Sequence, residues 1–187
     1  LAKFYSKEVF WKKTHLYWVD ERCVPPYDKD SNYGVAKSLL IDFIDIPEKN
    51  VHQIKGENEP EVEVIRYAAE IKKNVPEKNS LPYFDFIILG IGEDGHTASI
   101  FPNQIDLISS NKLCEIAKHP ENGQKRITLT GKVINNAMYK VFLATGEKKA
   151  EVIKKIFEKN SLPASFILAN EWILDDLAAK YIKNKNL

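Results

Sequence analysis

Asp94 and His96 stand two residues apart in the run Gly90-Ile91-Gly92-Glu93-Asp94-Gly95-His96, where glycines separate two acids from an imidazole. An imidazole is the side chain best suited to carry protons near neutral pH, and a neighbouring carboxylate can orient it and stabilise its charged form. The same spacing also fits a histidine that only satisfies backbone groups in a tight turn, and these two residues alone leave both readings open. The glycines match GxGxxG after a strand, the shape of a dinucleotide fingerprint. Two features oppose that match: Glu93 and Asp94 would set negative charge beside a pyrophosphate, and Phe101-Pro102 cuts short the helix that should face it. A P-loop fails because His96 stands where its lysine belongs, and no GxSxG elbow presents a serine nucleophile.

Only three of the 27 Lys and Arg residues are arginines, namely Arg22, Arg66 and Arg126. Arg22 follows a predicted strand and Arg126 opens one. Either planar fork suits a phosphate or carboxylate, and either also suits an ion pair with Glu21 or Asp94. Arg66 falls in mid-helix and is expected to face solvent. Cys23, beside Arg22, lacks a nearby base and reads as a small buried thiol rather than an activated thiolate. His15, His52 and His119 read as structural or solvated.

These groups need a scaffold. Phe84 to Leu89 is an almost unbroken apolar run, predicted to be a strand buried on both faces, with the glycine loop at its carboxyl end, where open α/β sheets bind ligands. His15 to Val19 repeats the design: an apolar strand running into Asp20-Glu21-Arg22 and then prolines. Residues 1–13 show helical spacing. Helices are expected over Ser31 to Ile41, with Ser31 as N-cap and Val35, Leu39 and Leu40 inward, and over Glu59 to Val75, with Val62, Ile65, Ala68, Ala69 and Ile71 as its apolar stripe. Val51 to Ile54, Leu113 to Ala117, Arg126 to Thr130 and Lys140 to Thr145 read as strands. Gly131 to Ala137, Lys148 to Lys159 and Glu171 to Ile182 read as helices, with Leu162 to Leu168 extended or a turn. Strands alternating with helices argue an α/β fold with a largely parallel sheet covered on both faces.

A length of 187 residues suits one domain with a substantial core, and 44% hydrophobic with 28% charged residues is ordinary for a globular chain. A net charge of +1 gives no general attraction to nucleic acid or membranes, and no run of 18 apolar residues occurs. The opening LAKFYSKEVFWKK lacks a signal peptide's apolar core. Cys23 and Cys114 show no metal-like spacing and fit a reducing compartment, so a cytoplasmic location is expected.

The segments DERCVP (20–25), DSNYG (30–34), LGIGEDGHTASIFP (89–102), RITLT (126–130), ATGEKKA (144–150) and LPAS (162–165) together resemble the 6-phosphogluconolactonases, in that family's order from about Trp11 onward. The related glucosamine-6-phosphate deaminases share the histidine but read DEY and GHIAFNEP where this chain has DER and GHTASIFP. The resemblance implies a Rossmann-like three-layer αβα sandwich with a mainly parallel sheet. It implies hydrolysis of 6-phospho-D-glucono-1,5-lactone to 6-phosphogluconate without metal or organic cofactor. His96 then falls on the catalytic histidine and Asp94 orients it. Arg22 or the Gly92 to Gly95 backbone would hold the oxyanion, Lys149 and Arg22 and then Arg126 the phosphate, and Asp20, Glu21, Gly92, Gly95 and Thr97 would complete the substrate site. Association with or fusion to a glucose-6-phosphate dehydrogenase is among the arrangements the resemblance admits. Two other readings stand beside it, an amino-sugar-phosphate deaminase and a catalytically silent sugar-phosphate-binding domain. One feature departs from the family: its opening βαβ segment carries a GGSTP-like phosphate loop, and nothing like it precedes Leu1. The expectation is a single domain over residues 1–187 without that N-terminal portion, exposing a sheet edge or an apolar face.

Overall fold

A computed structural model describes residues 9–158 and 161–182. Of the helix expected over residues 1–13, the part up to Glu8 lies outside the described residues, and Trp11–Lys13 form one 3-10 turn. The strands are β1 (Leu16–Tyr17), β2 (Asp20–Arg22), β3 (Val51–His52), β4 (Glu77–Lys78), β5 (Leu81–Pro82), β6 (Phe86–Leu89), β7 (Cys114–Lys118), β8 (Lys125–Leu129), β9 (Tyr139–Ala144) and β10 (Glu171–Leu174). The α-helices are α1 (Asn32–Leu39), α2 (Pro60–Asn74), α3 (Gly131–Asn136) and α4 (Ala150–Phe157). Parallel pairing joins β1 to β3 and orders the central strands β10-β9-β6. The architecture is an α/β, Rossmann-like αβα sandwich.

Not every strand is parallel. β2, β8 and β7 form a three-stranded antiparallel sheet, in which Asp20 faces Thr128 and Arg22 faces Arg126. The chain therefore leaves the parallel layer between Tyr17 and Asp20 and carries the DER segment onto a second sheet. The expected terminal helix over Glu171 to Ile182 is corrected: its first four residues are a strand, parallel to β9 and with Trp172 stacked on Phe142 at 4.1 Å between ring centroids. Apolar residues 172, 173, 174, 177, 178, 181 and 182 fit a helical period, but pairing with a neighbouring strand outweighed it.

Helix α1 begins as expected, with the Ser31 hydroxyl accepting from the Gly34 N–H at 3.0 Å. Its inner face is Tyr33 and Ala36, whereas Val35 and Leu39 are exposed. In α2 the expected stripe is likewise displaced: Val62 and Ile65 are exposed, and Glu63, Tyr67 and Ile71 point inward. Arg66 does not simply face solvent, because it bonds Glu63, Glu70 and the Gln53 carbonyl. Fully buried Tyr67 ties α2 to the segment after β1, its hydroxyl donating to the Trp18 carbonyl at 2.8 Å and accepting from the Trp18 N–H at 2.9 Å. His52 is buried as well, held between Glu70 and His15.

β6 is not buried on both faces. Ile87 and Leu89 enter the core, while Phe86 and Ile88 are 54% and 58% exposed, and Tyr139, Leu143 and Ile173 on the same face of β9 and β10 are also exposed. Between β1 and β6 lies a cavity of about 560 Å³, lined by Leu16 to Val19 on one side and Phe84 to Ile88 on the other. Parallel sheets are ordinarily covered on both faces; among the described residues this layer leaves Phe86 and Ile88 exposed on one face and a cavity beside β1 and β6. Among the described residues no helix is long and apolar enough to cross a membrane.

Tyr67→Phe removes the one group that satisfies both the N–H and the carbonyl of Trp18. Chemical denaturation is expected to show a loss of about 1–3 kcal/mol, and an unchanged stability would refute the role given to this hydroxyl.

Candidate active site

β6 is short because Gly90 follows it at once, and the loop then closes on itself. The Thr97 hydroxyl donates to the Gly90 carbonyl at 3.0 Å, and the Gly92 N–H donates to the His96 carbonyl at 2.9 Å. Within this frame Asp94 Oδ1 accepts twice, from the His96 N–H at 3.1 Å and from His96 Nδ1 at 2.6 Å. The carboxylate therefore fixes the tautomer with the proton on Nδ1, and Nε2 has no partner among the described residues. The imidazole is 26% exposed and lines a cleft. Gly92 is required by close approach: a Cβ there would lie 2.1 Å from His96 Nδ1 and 2.5 Å from Asp94 Oδ1. Ala98, also at the cleft, has φ +51, a left-handed conformation that non-glycine residues hold only where surrounding contacts enforce it.

The cleft measures about 230 Å³ and is lined on its polar side by Asp20, Arg22, Asn32, His96 and Arg126. Arg22 and Arg126 are direct cross-strand partners of β2 and β8. Like charges in that relation destabilise a sheet. Both arginine Nε groups are buried without a partner, although one Arg22 terminal nitrogen donates to the Asp30 carbonyl. Burial and then the charge of Arg22 lower the Arg126 pKa, against the opposing influence of Asp20, Asp30 and Glu21. Two repelling cations with unpaired donors beside an opening are an arrangement that a bound anion would satisfy. Fully buried Phe101 links the halves of the site, with its ring centroid 4.8 Å from that of His96 and 5.4 Å from the Arg126 guanidinium.

The other expected site residues are placed as follows. Asp20 reaches the cleft, with Oδ2 accepting from the Ser99 hydroxyl at 2.5 Å and the Asn32 side chain bonded to its carbonyl at 2.9 Å. Glu21 is corrected: at 1% exposure it points away from the cleft, and burial pushes its carboxyl pKa up against hydrogen bonds from the Tyr33, Asn32 and Arg22 amides and the Ser31 hydroxyl. Thr97 is fully buried, pins the loop through the Gly90 carbonyl and is not among the residues lining the cleft. The Gly92 and Gly95 amides donate to the His96 and Gly92 carbonyls, so neither is free for an oxyanion. Gly95, at φ +86, packs on Leu162 and accepts from the Ala164 N–H through its carbonyl. Lys149 is half-buried beside α4 and is not among the residues lining the cleft. Burial pushes the Cys23 thiol up to about 11, in keeping with an unreactive group. Among the described residues no cluster of three or more His, Cys, Asp or Glu is arranged to hold a metal ion.

Sequence reasoning missed Asn32 and Ser99, which bond Asp20, and the strained Ala98. Asn32 lies directly after the N-cap serine and Ser99 three residues after His96, positions where a short polar side chain reaches back to a neighbouring strand.

The sequence profile of glucosamine-6-phosphate isomerases/6-phosphogluconolactonase matches residues 1–174. A 6-phosphogluconolactonase of Haemophilus influenzae is 45% identical over 186 residues, covering 95% of this chain and 78% of that protein. Among solved structures, the devB protein superposes with a TM-score of 0.91 at 42% identity, covering 96% of this chain and 79% of that one. A 6-phosphogluconolactonase from Thermotoga maritima superposes with a TM-score of 0.82 at 28% identity, covering 92% and 78% respectively.

Burial pushes the Asp94 carboxyl up, but the hydrogen bonds and charge of His96 outweigh it and hold the pKa below the usual aspartate range. A depressed folded-state pKa stabilises the protein above the unfolded value of about 3.9 and ceases to do so as the pH falls through the folded value. In urea titrations the stability gap between the native protein and Asp94→Asn should shrink below about pH 4; a gap constant to lower pH contradicts the pairing. Gly92→Ala should leave the fold intact and displace the imidazole, visible as an altered His96 ring signal in NMR. An unmoved ring would contradict the close approach.

Proposed function

The chain belongs to the glucosamine-6-phosphate isomerase/6-phosphogluconolactonase family, and from that premise we propose that it hydrolyses 6-phospho-D-glucono-1,5-lactone to 6-phosphogluconate. The observation that carries this reading is one imidazole whose Nδ1 is held by Asp94, lining the same cleft as Arg22 and Arg126. Nε2 takes a proton from the water that attacks the lactone carbonyl, and the carbonyl oxygen becomes an oxyanion. When the tetrahedral intermediate collapses, the ester bond breaks and the imidazolium returns the proton to the departing ring oxygen. Asp94 keeps the tautomer and stabilises the imidazolium between the two transfers. The arginine pair meets the negative charge of the substrate's phosphate, with Arg22 as its first contact and Arg126 beside it. Lys149 is left as an outer contact to the phosphate. The two free cysteines and the substrate's chemistry support a cytoplasmic setting.

We further propose that the seam between β1 and β6 is occupied, in the working enzyme, by a strand of the same polypeptide N-terminal to Leu1, and that a helix following it covers Phe86, Ile88, Tyr139, Leu143 and Ile173. The support is geometric: the Leu16 to Val19 and Phe84 to Ile88 segments face each other across the cavity, and the open apolar face adjoins it. The loop after such a strand would emerge beside the carboxyl end of β6, next to the arginine pair.

The purified protein should accelerate loss of the lactone over its spontaneous hydrolysis, and His96→Ala should lower kcat by about 10²–10⁴-fold. Ammonia release from glucosamine 6-phosphate without lactone turnover would overturn the assignment. An N-terminally extended polypeptide should protect the β1 and β6 amides from hydrogen exchange relative to the 187-residue chain. Equal exchange would refute the strand.

A further inference from the structure

Glu21 is not among the residues lining the cleft, yet its carboxylate accepts four hydrogen bonds close beside it. Oε1 accepts from the Arg22 N–H at 2.8 Å and the Asn32 N–H at 2.8 Å. Oε2 accepts from the Tyr33 N–H at 2.7 Å and the Ser31 hydroxyl at 3.1 Å. Three of these donors belong to the start of α1, where the first-turn amides have no partner inside the helix. The fourth is the backbone of Arg22 itself. One buried carboxylate thus fastens the arginine-bearing strand to the helix that follows it.

The consequence reaches the cleft by two routes. Asp30, whose carbonyl receives the Arg22 guanidinium, directly precedes the Ser31 to Tyr33 turn that Glu21 holds. Asn32, whose amide Glu21 accepts, bonds Asp20 through its side chain, and Asp20 in turn accepts from Ser99 on the His96 side of the cleft. Glu21 is also a nearby negative charge acting on Arg126, alongside Asp20 and Asp30. Two facing arginines repel, and only fixed neighbours keep both forks turned to one opening.

We propose that Glu21 is a positioning residue for anion binding: by joining the Arg22 backbone to the α1 N-terminus, it holds Arg22 beside Arg126 in the geometry that receives the substrate's phosphate. This rests on the lactonase reading for the identity of the substrate, while the demand for an anion comes from the arginines alone. Glutamine cannot fully replace the carboxylate, because its NH₂ would face at least one backbone N–H, that of Tyr33 or those of Arg22 and Asn32, and cannot accept from it. Aspartate keeps the charge but is one methylene too short to reach all four donors.

The test measures lactone kinetics and, separately, binding of inorganic phosphate by calorimetry for the native protein, Glu21→Gln and Glu21→Asp. Glu21→Gln should raise KM about 10-fold with kcat within about 3-fold, the pattern of lost uniform binding, and weaken phosphate binding in parallel. Glu21→Asp should fall between. A purely structural role would instead lower the active fraction, cutting apparent kcat at constant KM and constant phosphate affinity, and that outcome overturns the proposal. If Glu21→Gln does not fold, Glu21→Asp decides: KM and phosphate affinity equal to the native values refute it. A native protein that binds phosphate but leaves the lactone untouched would sink the lactonase reading and leave this one to be judged on phosphate affinity.

Discussion

The hydrogen bond from His96 Nδ1 to Asp94 Oδ1 is the contact to which the rest of the site is fitted. It spans two residues, so the backbone between them must turn sharply, and Gly95 supplies the positive φ that permits it. It also brings ring and carboxylate so close to Gly92 that no side chain fits there. Thr97 and the Gly92 amide then lock the loop to the end of β6. The glycine run is held in place because the Gly90 and Gly95 carbonyls and the Gly92 and Gly95 amides each take a specific hydrogen bond.

The second half of the site works by tolerated repulsion. A sheet that set Arg22 opposite Arg126 for stability alone would be a poor design, since like charges across a ladder are unfavourable and each Nε is buried unpaired. The surrounding structure sustains the arrangement through Asp20, the Asp30 carbonyl and the buried Glu21. Phe101 packs against both His96 and Arg126, so one buried ring buttresses the imidazole and the arginine pair together.

Much of this was legible in the sequence where local rules dominate. The strand before Gly90, the Ser31 cap and the acid–imidazole pair follow from short-range chemistry. Other features depend on what lies opposite. In DER, a period of two puts Asp20 and Arg22 on one face and Glu21 on the other, which separates cleft residues from the buried anchor once β2 is recognised as a strand. Grouping all three as substrate contacts ignored that alternation. Glu171–Leu174 reads as helix by periodicity and is a strand because β9 offers an edge. The exposure of Phe86 and Ile88 was invisible locally, since their apolar character suits a covered sheet whether or not its cover is present. Arg66 looked solvated, but two acids within one turn and the Gln53 carbonyl capture it.

The central claim is that His96 presents a bare Nε2 to the substrate because Asp94 holds the proton on Nδ1. Nitrogen-15 NMR of histidine-labelled protein tests it directly. Neutral His96 should show a protonated Nδ1 and an unprotonated Nε2, with the Nε2 resonance moving when 6-phosphogluconate is added. A proton resident on Nε2, or a ring whose signals ignore the product at saturating concentration, would contradict the account.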